Sequence, residues 1–179
     1  MSIVTKGGDG GETSLLYGGR VPKDDLHTEA YGALDEAISA MGLARSLCQY
    51  PAVVSTLLDL QRECFTAGSE LATASADRDK LLKHFAPLGP DAVDRLEALV
   101  HELELEVGLP SGFILPGGTP GAAAIDLART LVRRAERRAV GLRRADELAN
   151  PEVVRYLNRL SDLLFMLARQ EEAGRTTLK

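Results

Sequence analysis

The stretch TPGAAAIDLARTLVRRAERRAVGLRR, residues 119–144, gives the clearest indication of the fold class of this chain. Thr119 is a good helix N-cap, and Pro120 suits the first helical position, where its missing N–H would have no intrahelical partner anyway. At about 100° per residue, small and apolar side chains gather on one side of the helix, namely Ala128, Leu131, Ala135, Ala139 and Leu142. The stretch therefore predicts a long amphipathic helix that packs against neighbouring helices.

Four more helical segments flank this one along the chain. Apolar spacing, proline at helix starts and glycine at helix ends predict them at residues 28–48, 51–73, 90–107 and 151–172. Residues 75–89 are interpreted as a polar connection, and at most a short strand is expected at residues 2–4. The prediction is an all-α, five-helix up-and-down bundle at residues 25–173, with an ordered Gly-rich loop at residues 1–24, in one domain covering 1–179.

Composition and charge exclude several classes of function. The 179 residues carry a formal net charge of -5, so the protein as a whole does not attract nucleic acid or an anionic membrane. No apolar run is long enough to span a bilayer. Cys48 and Cys64 are isolated, which is typical of a reducing compartment. A cytoplasmic location is therefore expected.

The N-terminal stretch TKGGDGGETS, residues 5–14, contains four glycines. Glycines let backbone N–H groups approach phosphate oxygens closely, and Lys6 adds a positive charge. The hydroxyl groups of Thr13 and Ser14 can donate to phosphate or bind Mg²⁺. The stretch matches neither a Walker A loop nor a dinucleotide fingerprint. A flexible Gly-rich terminus is the alternative, and composition alone favours it.

A basic cluster lies within the residue 119–144 helix. Arg129, Arg133 and Glu136 fall within about 60° of one another around the helix axis, a pattern that can grip a polyphosphate. Glu136 could fix the guanidinium groups or hold metal-bound water. The alternative is a solvated charged face, which is the expectation for Arg138, Arg143 and Arg144.

Two further motifs carry candidate ligand-binding residues. In YLNRLSDLLF, residues 156–165, Asn158 and Asp162 lie one turn apart; asparagine inside a helix often has a partner, although a polar residue at the edge of the core is the alternative. In LPSGFILPGG, residues 109–118, Phe113 occupies a loop bounded by glycine and proline. It can enter a ligand pocket, or it can anchor the loop in the core.

Taken in order and spacing, these motifs resemble the PduO-type ATP:cob(I)alamin adenosyltransferases. The resemblance covers TKGGDGGETSLLYGGRVPK (5–23), EAYGALDE (29–36), FILPGG (113–118), RTLVRRAERR (129–138) and NRLSDLLF (158–165). Two places depart from that family. It commonly reads DELNS where residues 35–39 are Asp-Glu-Ala-Ile-Ser, and it often has arginine where His27 stands.

The resemblance implies a cobalamin adenosyltransferase-like bundle that forms a homotrimer, with active sites between subunits. It implies transfer of the 5′-deoxyadenosyl group of ATP to cob(I)alamin with release of triphosphate, and Mg²⁺ on the ATP phosphates near Glu136. It also implies two partners, a reductase that supplies Co(I) and a cobalamin-dependent enzyme that accepts the product.

The resemblance further assigns roles to individual residues. Those that wrap the triphosphate, with Lys23 nearby, are Thr5, Lys6, Gly7, Gly8, Asp9, Gly11, Thr13 and Ser14. Those that hold ATP and its Mg²⁺ are Arg129, Arg133, Glu136 and Asn158. Asp35 is expected to pair with Arg129 across the subunit interface, and Phe113 to face the corrin.

Chemistry agrees with this assignment, because Co(I) is itself a strong nucleophile and the protein need only position ATP and stabilise the leaving triphosphate. Two other classes of protein remain open. One is a non-catalytic cobalamin carrier or nucleotide sensor, and the other is a ferritin-type di-metal bundle. The second needs Glu-x-x-His pairs, which this sequence lacks.

Overall fold

The computed structural model describes residues 3–177, with side chains through Gly174. Its elements are β1 Glu12–Ser14, β2 Arg20–Pro22, α1 Leu26–Leu47, α2 Pro51–Leu71, α3 Arg78–Leu82, α4 Pro90–Val107, α5 Pro120–Arg144 and α6 Glu152–Thr177. The chain is thus mostly helical. None of the helices within residues 3–177 is both long and apolar enough to cross a membrane.

The prediction of a mostly helical fold is confirmed, but the prediction of an all-α protein with five helices is not. The five long helices are present, but a sixth, α3, lies in the segment 75–89 that was expected to be a plain polar connection. Only Leu81 of this five-residue helix is buried, so no apolar period could reveal it. Of the expected strand at residues 2–4, residues 3 and 4 lie outside any strand, and residue 2 lies outside the described residues.

The two strands form a small antiparallel hairpin that sequence periodicity missed. Glu12 pairs with Pro22 and Ser14 with Arg20, so each strand is only three residues long, too short for an alternating pattern to stand out. The turn of the hairpin is attached to the end of α2, where Leu16 N donates to Ala72 O at 2.9 Å and Ala74 N donates to Tyr17 O at 3.0 Å. These bonds fix the N-terminal segment to the bundle.

Small side chains let α5 approach α1 closely. Fully buried alanines line both helices, namely Ala30, Ala37, Ala44, Ala128, Ala135 and Ala139. Where α5 begins, a Cβ added to Gly121 would lie 3.0 Å from the Cα of Cys48 at the end of α1, so the contact requires glycine. Helix α5 also packs on α6, and α6 packs on α4. One side of α5 therefore faces α1, and another faces α6.

A buried polar cluster holds the segment before α4 against α6. Glu70 accepts hydrogen bonds from Leu88 N at 2.8 Å and from the Nδ2 of Asn150 at 2.7 Å. The Oδ1 of Asn150 accepts from Glu152 N at 3.1 Å, as expected for the cap of α6. Burial raises the pKa of Glu70, although these two hydrogen bonds oppose the rise.

Candidate active site

A groove of about 290 Å³ opens where α5, α6 and α4 meet. Helix α5 contributes Arg129 and Arg133, which stand one turn apart on its α6 side. Helix α6 contributes Ser161, Asp162 and Phe165 to the same groove. Arg133 is exposed to solvent, and the side chain of Arg129 is 26% exposed. The groove thus presents two cations that a phosphate-bearing ligand can reach.

Glu136 and Asn158 meet at the boundary between α5 and α6. The Nδ2 of Asn158 donates to Glu136 Oε1 at 3.0 Å, so this asparagine inside a helix does have a partner. Its Oδ1 accepts from Arg159 Nη1 at 3.0 Å, and Arg159 in turn donates to Asp162 Oδ2 at 2.8 Å. The chain of hydrogen bonds holds the carboxylate of Glu136 one turn from Arg133.

Arg129 has a partner within the chain that sequence reasoning missed. Its Nε donates to Asp126 Oδ1 at 3.1 Å, and Asp126 Oδ2 accepts from Arg169 Nη2 at 2.7 Å. Asp126 and Arg169 are both buried, with side chains 4% and 7% exposed. The spacing of three residues between Asp126 and Arg129 is compatible with an ion pair within the helix. However, Asp126 lies between Ile125 and Leu127, so the sequence pattern did not mark it as part of a charged cluster.

The α1 side of α5 carries a different set of arginines. Arg138 pairs with Glu29 at 3.1 Å, and Arg134 pairs with Glu36, both as half-exposed ion pairs. Arg138 is thus half exposed to solvent, as expected, but its partner lies on α1 and not on its own helix. Four arginines of one helix are thus divided between ion pairs with α1 and the groove beside α6.

The N-terminal segment contains three basic residues, Lys6, Arg20 and Lys23. Arg20 Nη2 donates to Gly7 O at 2.8 Å, and a Cβ added to Gly8 would lie 3.0 Å from the Nζ of Lys23. Lys6 adopts φ 57, a left-handed conformation uncommon for a residue with a side chain. The expected residues Thr5, Lys6, Gly7, Gly8, Asp9, Gly11, Thr13, Ser14 and Lys23 thus lie in one small surface region, to which Arg20 adds a charge not foreseen from the sequence.

Within one chain, this segment and the groove occupy different places. The hairpin is bound to the end of α2, whereas the groove lies on the α4 and α6 side of α5. Asp35 is exposed beside a separate, apolar pocket of about 500 Å³ between α1 and α2. The structure therefore joins Arg129, Arg133, Glu136 and Asn158 on one side of the bundle, and leaves the N-terminal segment and Asp35 elsewhere.

Phe113 is fully exposed in the loop between α4 and α5. Leu109 and Leu115 of the same loop are also exposed, and Gly117 at φ 125 turns the chain back toward α5. Thr119 then caps α5 as predicted, with its Oγ1 accepting from Ala122 N at 3.1 Å. The alternative interpretation of Phe113 as a core anchor is wrong, because its ring has no place in the core.

His27 and both cysteines lie away from the groove, whereas the exposed His101 of α4 lies beside it, with its Nδ1 3.6 Å from Oε2 of the groove-lining Glu104. His27 is buried, and its Nδ1 donates to Leu71 O at 2.7 Å, joining α1 to the end of α2. Burial, aided by nearby Glu171, raises the pKa of the Cys48 thiol to about 12. Cys64 is fully buried and its pKa is raised for the same main reason. Neither thiol ionises readily.

Comparison with known proteins gives a consistent result. The family model described as cobalamin adenosyltransferase matches residues 3–171. A corrinoid adenosyltransferase of Bacillus subtilis is 40% identical over 173 residues, covering 94% of this chain and 86% of the relative. A corrinoid adenosyltransferase of Citrobacter freundii is 37% identical over 170 residues, covering 95% and 94% of the two chains.

Two solved structures share the fold. Both are variants of the PduO-type adenosyltransferase from Lactobacillus reuteri, and both are 34% identical in sequence. A phenylalanine-to-histidine variant complexed with cobalamin and ATP superimposes with a TM-score of 0.88, covering 98% of this chain and 93% of that chain. An arginine-to-lysine variant complexed with ATP gives 0.87, covering 97% and 96%.

Proposed function

The chain belongs to the cobalamin adenosyltransferase family, and from that premise we propose that it transfers the 5′-deoxyadenosyl group of ATP to cob(I)alamin. The products are adenosylcobalamin and triphosphate. The main structural support for this proposal is the groove, which presents Arg129 and Arg133 beside the hydrogen-bonded pair of Glu136 and Asn158. Two arginines one turn apart suit a triphosphate, because each guanidinium group can donate two hydrogen bonds to phosphate oxygens.

The N-terminal segment supplies the second half of the triphosphate site. Lys6 and Lys23 provide charge, and Gly10 and Gly11 leave open space beside the backbone where a phosphate can approach. The wrapping residues are Thr5, Lys6, Gly7, Gly8, Asp9, Gly11, Thr13 and Ser14. We assign residues 1–24 to this ATP-binding role and residues 25–173 to the helical bundle of a single domain.

The site suits a Mg²⁺ ion that is bound mainly through the phosphates of ATP. Residues 3–177 contain no group of three or more His, Cys, Asp or Glu side chains that could bind a metal ion on their own. Mg²⁺ commonly keeps several waters and uses one or two carboxylates together with substrate phosphates. Glu136, held in place by Asn158, is the carboxylate suited to that role. The ion would neutralise part of the triphosphate charge.

The reaction needs alignment more than acid–base chemistry. The lone pair of Co(I) attacks C5′ of the ribose, a Co–C bond forms, the C5′–O bond breaks, and triphosphate leaves with that electron pair. The protein holds C5′ in line with cobalt and stabilises the charge that develops on the leaving oxygen. Arg129 and Arg133 provide that stabilisation, and no residue has to remove a proton.

An absorbance assay tests the proposed function. With Mg-ATP and chemically reduced cobalamin, the protein should form light-sensitive adenosylcobalamin and triphosphate in equal amounts. Release of phosphate or pyrophosphate without an alkylcobalamin would show that the proposed reaction is wrong. Binding of both ligands without turnover would favour a non-catalytic cobalamin carrier.

We also propose a homotrimer whose active sites lie between subunits. The separation of the N-terminal segment from the groove within one chain supports this, since both carry parts of the triphosphate site. Asp35 is exposed and has no hydrogen bond or ion pair with the described residues, so it is available to a neighbouring subunit's Arg129. The apolar pocket beside it, with Phe65 and Phe85 exposed, would also be covered on assembly.

Changing Asp35→Asn should lower adenosyltransferase activity without lowering the melting temperature, because an exposed carboxylate contributes little to the fold of a single chain. Light scattering should report a trimer for the wild-type protein. The control is Glu36→Gln at the next position, whose carboxylate pairs with Arg134 inside the chain, and its activity should stay near that of wild type. A fully active monomer, or equal effects of the two changes, would contradict the proposed interface.

A cytoplasmic location, a reductase that supplies Co(I) and a cobalamin-dependent acceptor enzyme stay predictions. The chemistry of the substrates motivates both partners. Cob(I)alamin must come from a reduction, and the weak Co–C bond of adenosylcobalamin suits it to an enzyme that cleaves that bond.

A further inference from the structure

Beneath the groove, one buried carboxylate connects two arginines from different helices. Asp126 on α5 accepts from Arg129 Nε at 3.1 Å through Oδ1 and from Arg169 Nη2 of α6 at 2.7 Å through Oδ2. Arg169 is also paired with Glu172, with its Nε 3.1 Å from Glu172 Oε2. Both guanidinium groups lie near the ring of Phe165, at 6.0 Å for Arg129 and 5.2 Å for Arg169.

Arg129 and Arg169 differ in how many of their N–H groups remain available to a ligand. Arg169 is 7% exposed and forms ion pairs with Asp126 and Glu172, so it is a structural cation, although its Nε has no hydrogen bond of good geometry. Arg129 is 26% exposed and lines the groove. Its Nε is taken by Asp126, whereas its two terminal nitrogens make no hydrogen bond with the described residues. Since no described residue pairs with these nitrogens, they can meet both the triphosphate and Asp35 of a neighbouring subunit.

We propose that Asp126 is a positioning residue for adenosyl transfer, holding Arg129 in the orientation in which its terminal nitrogens meet the ATP triphosphate and Asp35 of a neighbouring subunit. This inference rests on the proposed role of Arg129 in ATP binding. A long arginine side chain has several rotamers, and fixing it before the ligand arrives removes part of the entropy cost of binding. Asp126 can do so because Arg169 anchors its second oxygen.

The carboxylate is required for this role, and an isosteric amide is not sufficient. An asparagine at residue 126 could accept through one oxygen only, and its NH₂ group would face the donors of the other arginine. Since Arg169 is the more buried of the two cations, we expect the remaining oxygen to stay with Arg169. Arg129 would then lose its anchor and become mobile in the groove.

The test is a double-mutant cycle with Asp126→Asn and Arg129→Lys. Asp126→Asn should raise KM and the dissociation constant for ATP by about ten- to a hundredfold, the usual range for a lost charge-assisted hydrogen bond. KM for cob(I)alamin should change little. In the Arg129→Lys background, the same change should have almost no further effect on ATP binding, because Asp126 acts through Arg129.

A matched control is Asp59→Asn, since Asp59 and Arg62 form the same pairing at 3.1 Å and three residues apart, but on the exposed surface of α2. It should leave KM for ATP unchanged. If Asp126→Asn does not accumulate as folded protein, Asp126→Glu takes its place, because it keeps the charge but moves the carboxylate by one methylene.

The outcomes separate the inference from the proposed function. If wild-type protein forms no adenosylcobalamin, the proposed function is wrong. If wild type is active and Arg129→Lys weakens ATP binding, but the Asp126 variant loses only stability and keeps the wild-type KM, the positioning role alone is overturned. Unchanged ATP binding in Arg129→Lys, or an undiminished effect of the Asp126 change in that background, would overturn it as well.

Discussion

Changing Arg133→Ala should lower kcat/KM for ATP by about a hundred- to a thousandfold, the range found when one preorganised donor to developing charge is removed. Arg133 is exposed at the groove, and the described residues provide no ion pair for it, so its charge is available to the triphosphate. The melting temperature should be nearly unchanged, because the side chain contributes little to the core. Isothermal calorimetry with ATP, beside steady-state kinetics, measures the effect.

Arg138→Ala is the control for this change. Arg138 lies on the same helix, but on the α1 side, where it forms a half-exposed pair with Glu29 at 3.1 Å. Such a pair is worth only about 0–1 kcal/mol, so ATP kinetics should change by a small factor at most. Equal, small effects of both changes would mean that the whole basic cluster is a solvated face.

Changing Phe113→Ala should abolish most activity that starts from cob(II)alamin and a mild reductant, while ATP binding stays nearly intact. Cob(II)alamin carries an axial base under cobalt, which makes its reduction to Co(I) difficult. A large apolar ring with no lone pair can fill the lower face and exclude both that base and water. A loss of at least about a hundredfold, or 2.7 kcal/mol, is expected, and spectra of bound cob(II)alamin should show the lower ligand still in place.

Activity from pre-formed cob(I)alamin should suffer less, since that species has already lost its axial ligand. Because Phe113 is fully exposed, the alanine variant should melt at the wild-type temperature. Phe113→Leu, which keeps an apolar group without a lone pair, should retain much of the activity. Parallel loss of both activities in Phe113→Ala, with the lower ligand removed as in wild type, would contradict the role assigned to the ring.

Local signals along the chain were sufficient for the long helices and for many of the candidate residues. The apolar spacing on α5 and the cap formed by Thr119 and Pro120 gave the bounds of that helix, because both depend only on neighbours in sequence. The same helical period placed Arg129, Arg133 and Glu136 on one side. The short helix α3 and the two strands were not predicted, because they contain too few residues to show a periodic pattern.

The mostly helical class, the family and the side of α5 that carries the candidate site can all be inferred without the structure, because each is encoded in local spacing or in ordered motifs. Which arginines form ion pairs and which remain available to a ligand depends, by contrast, on tertiary contacts. Arg134 and Arg138 are paired because α1 happens to bring Glu36 and Glu29 beside them. Asp126 meets Arg169 across 43 residues of sequence. Contacts of that kind depend on how helices pack, and no periodicity within one helix specifies what its neighbour will present.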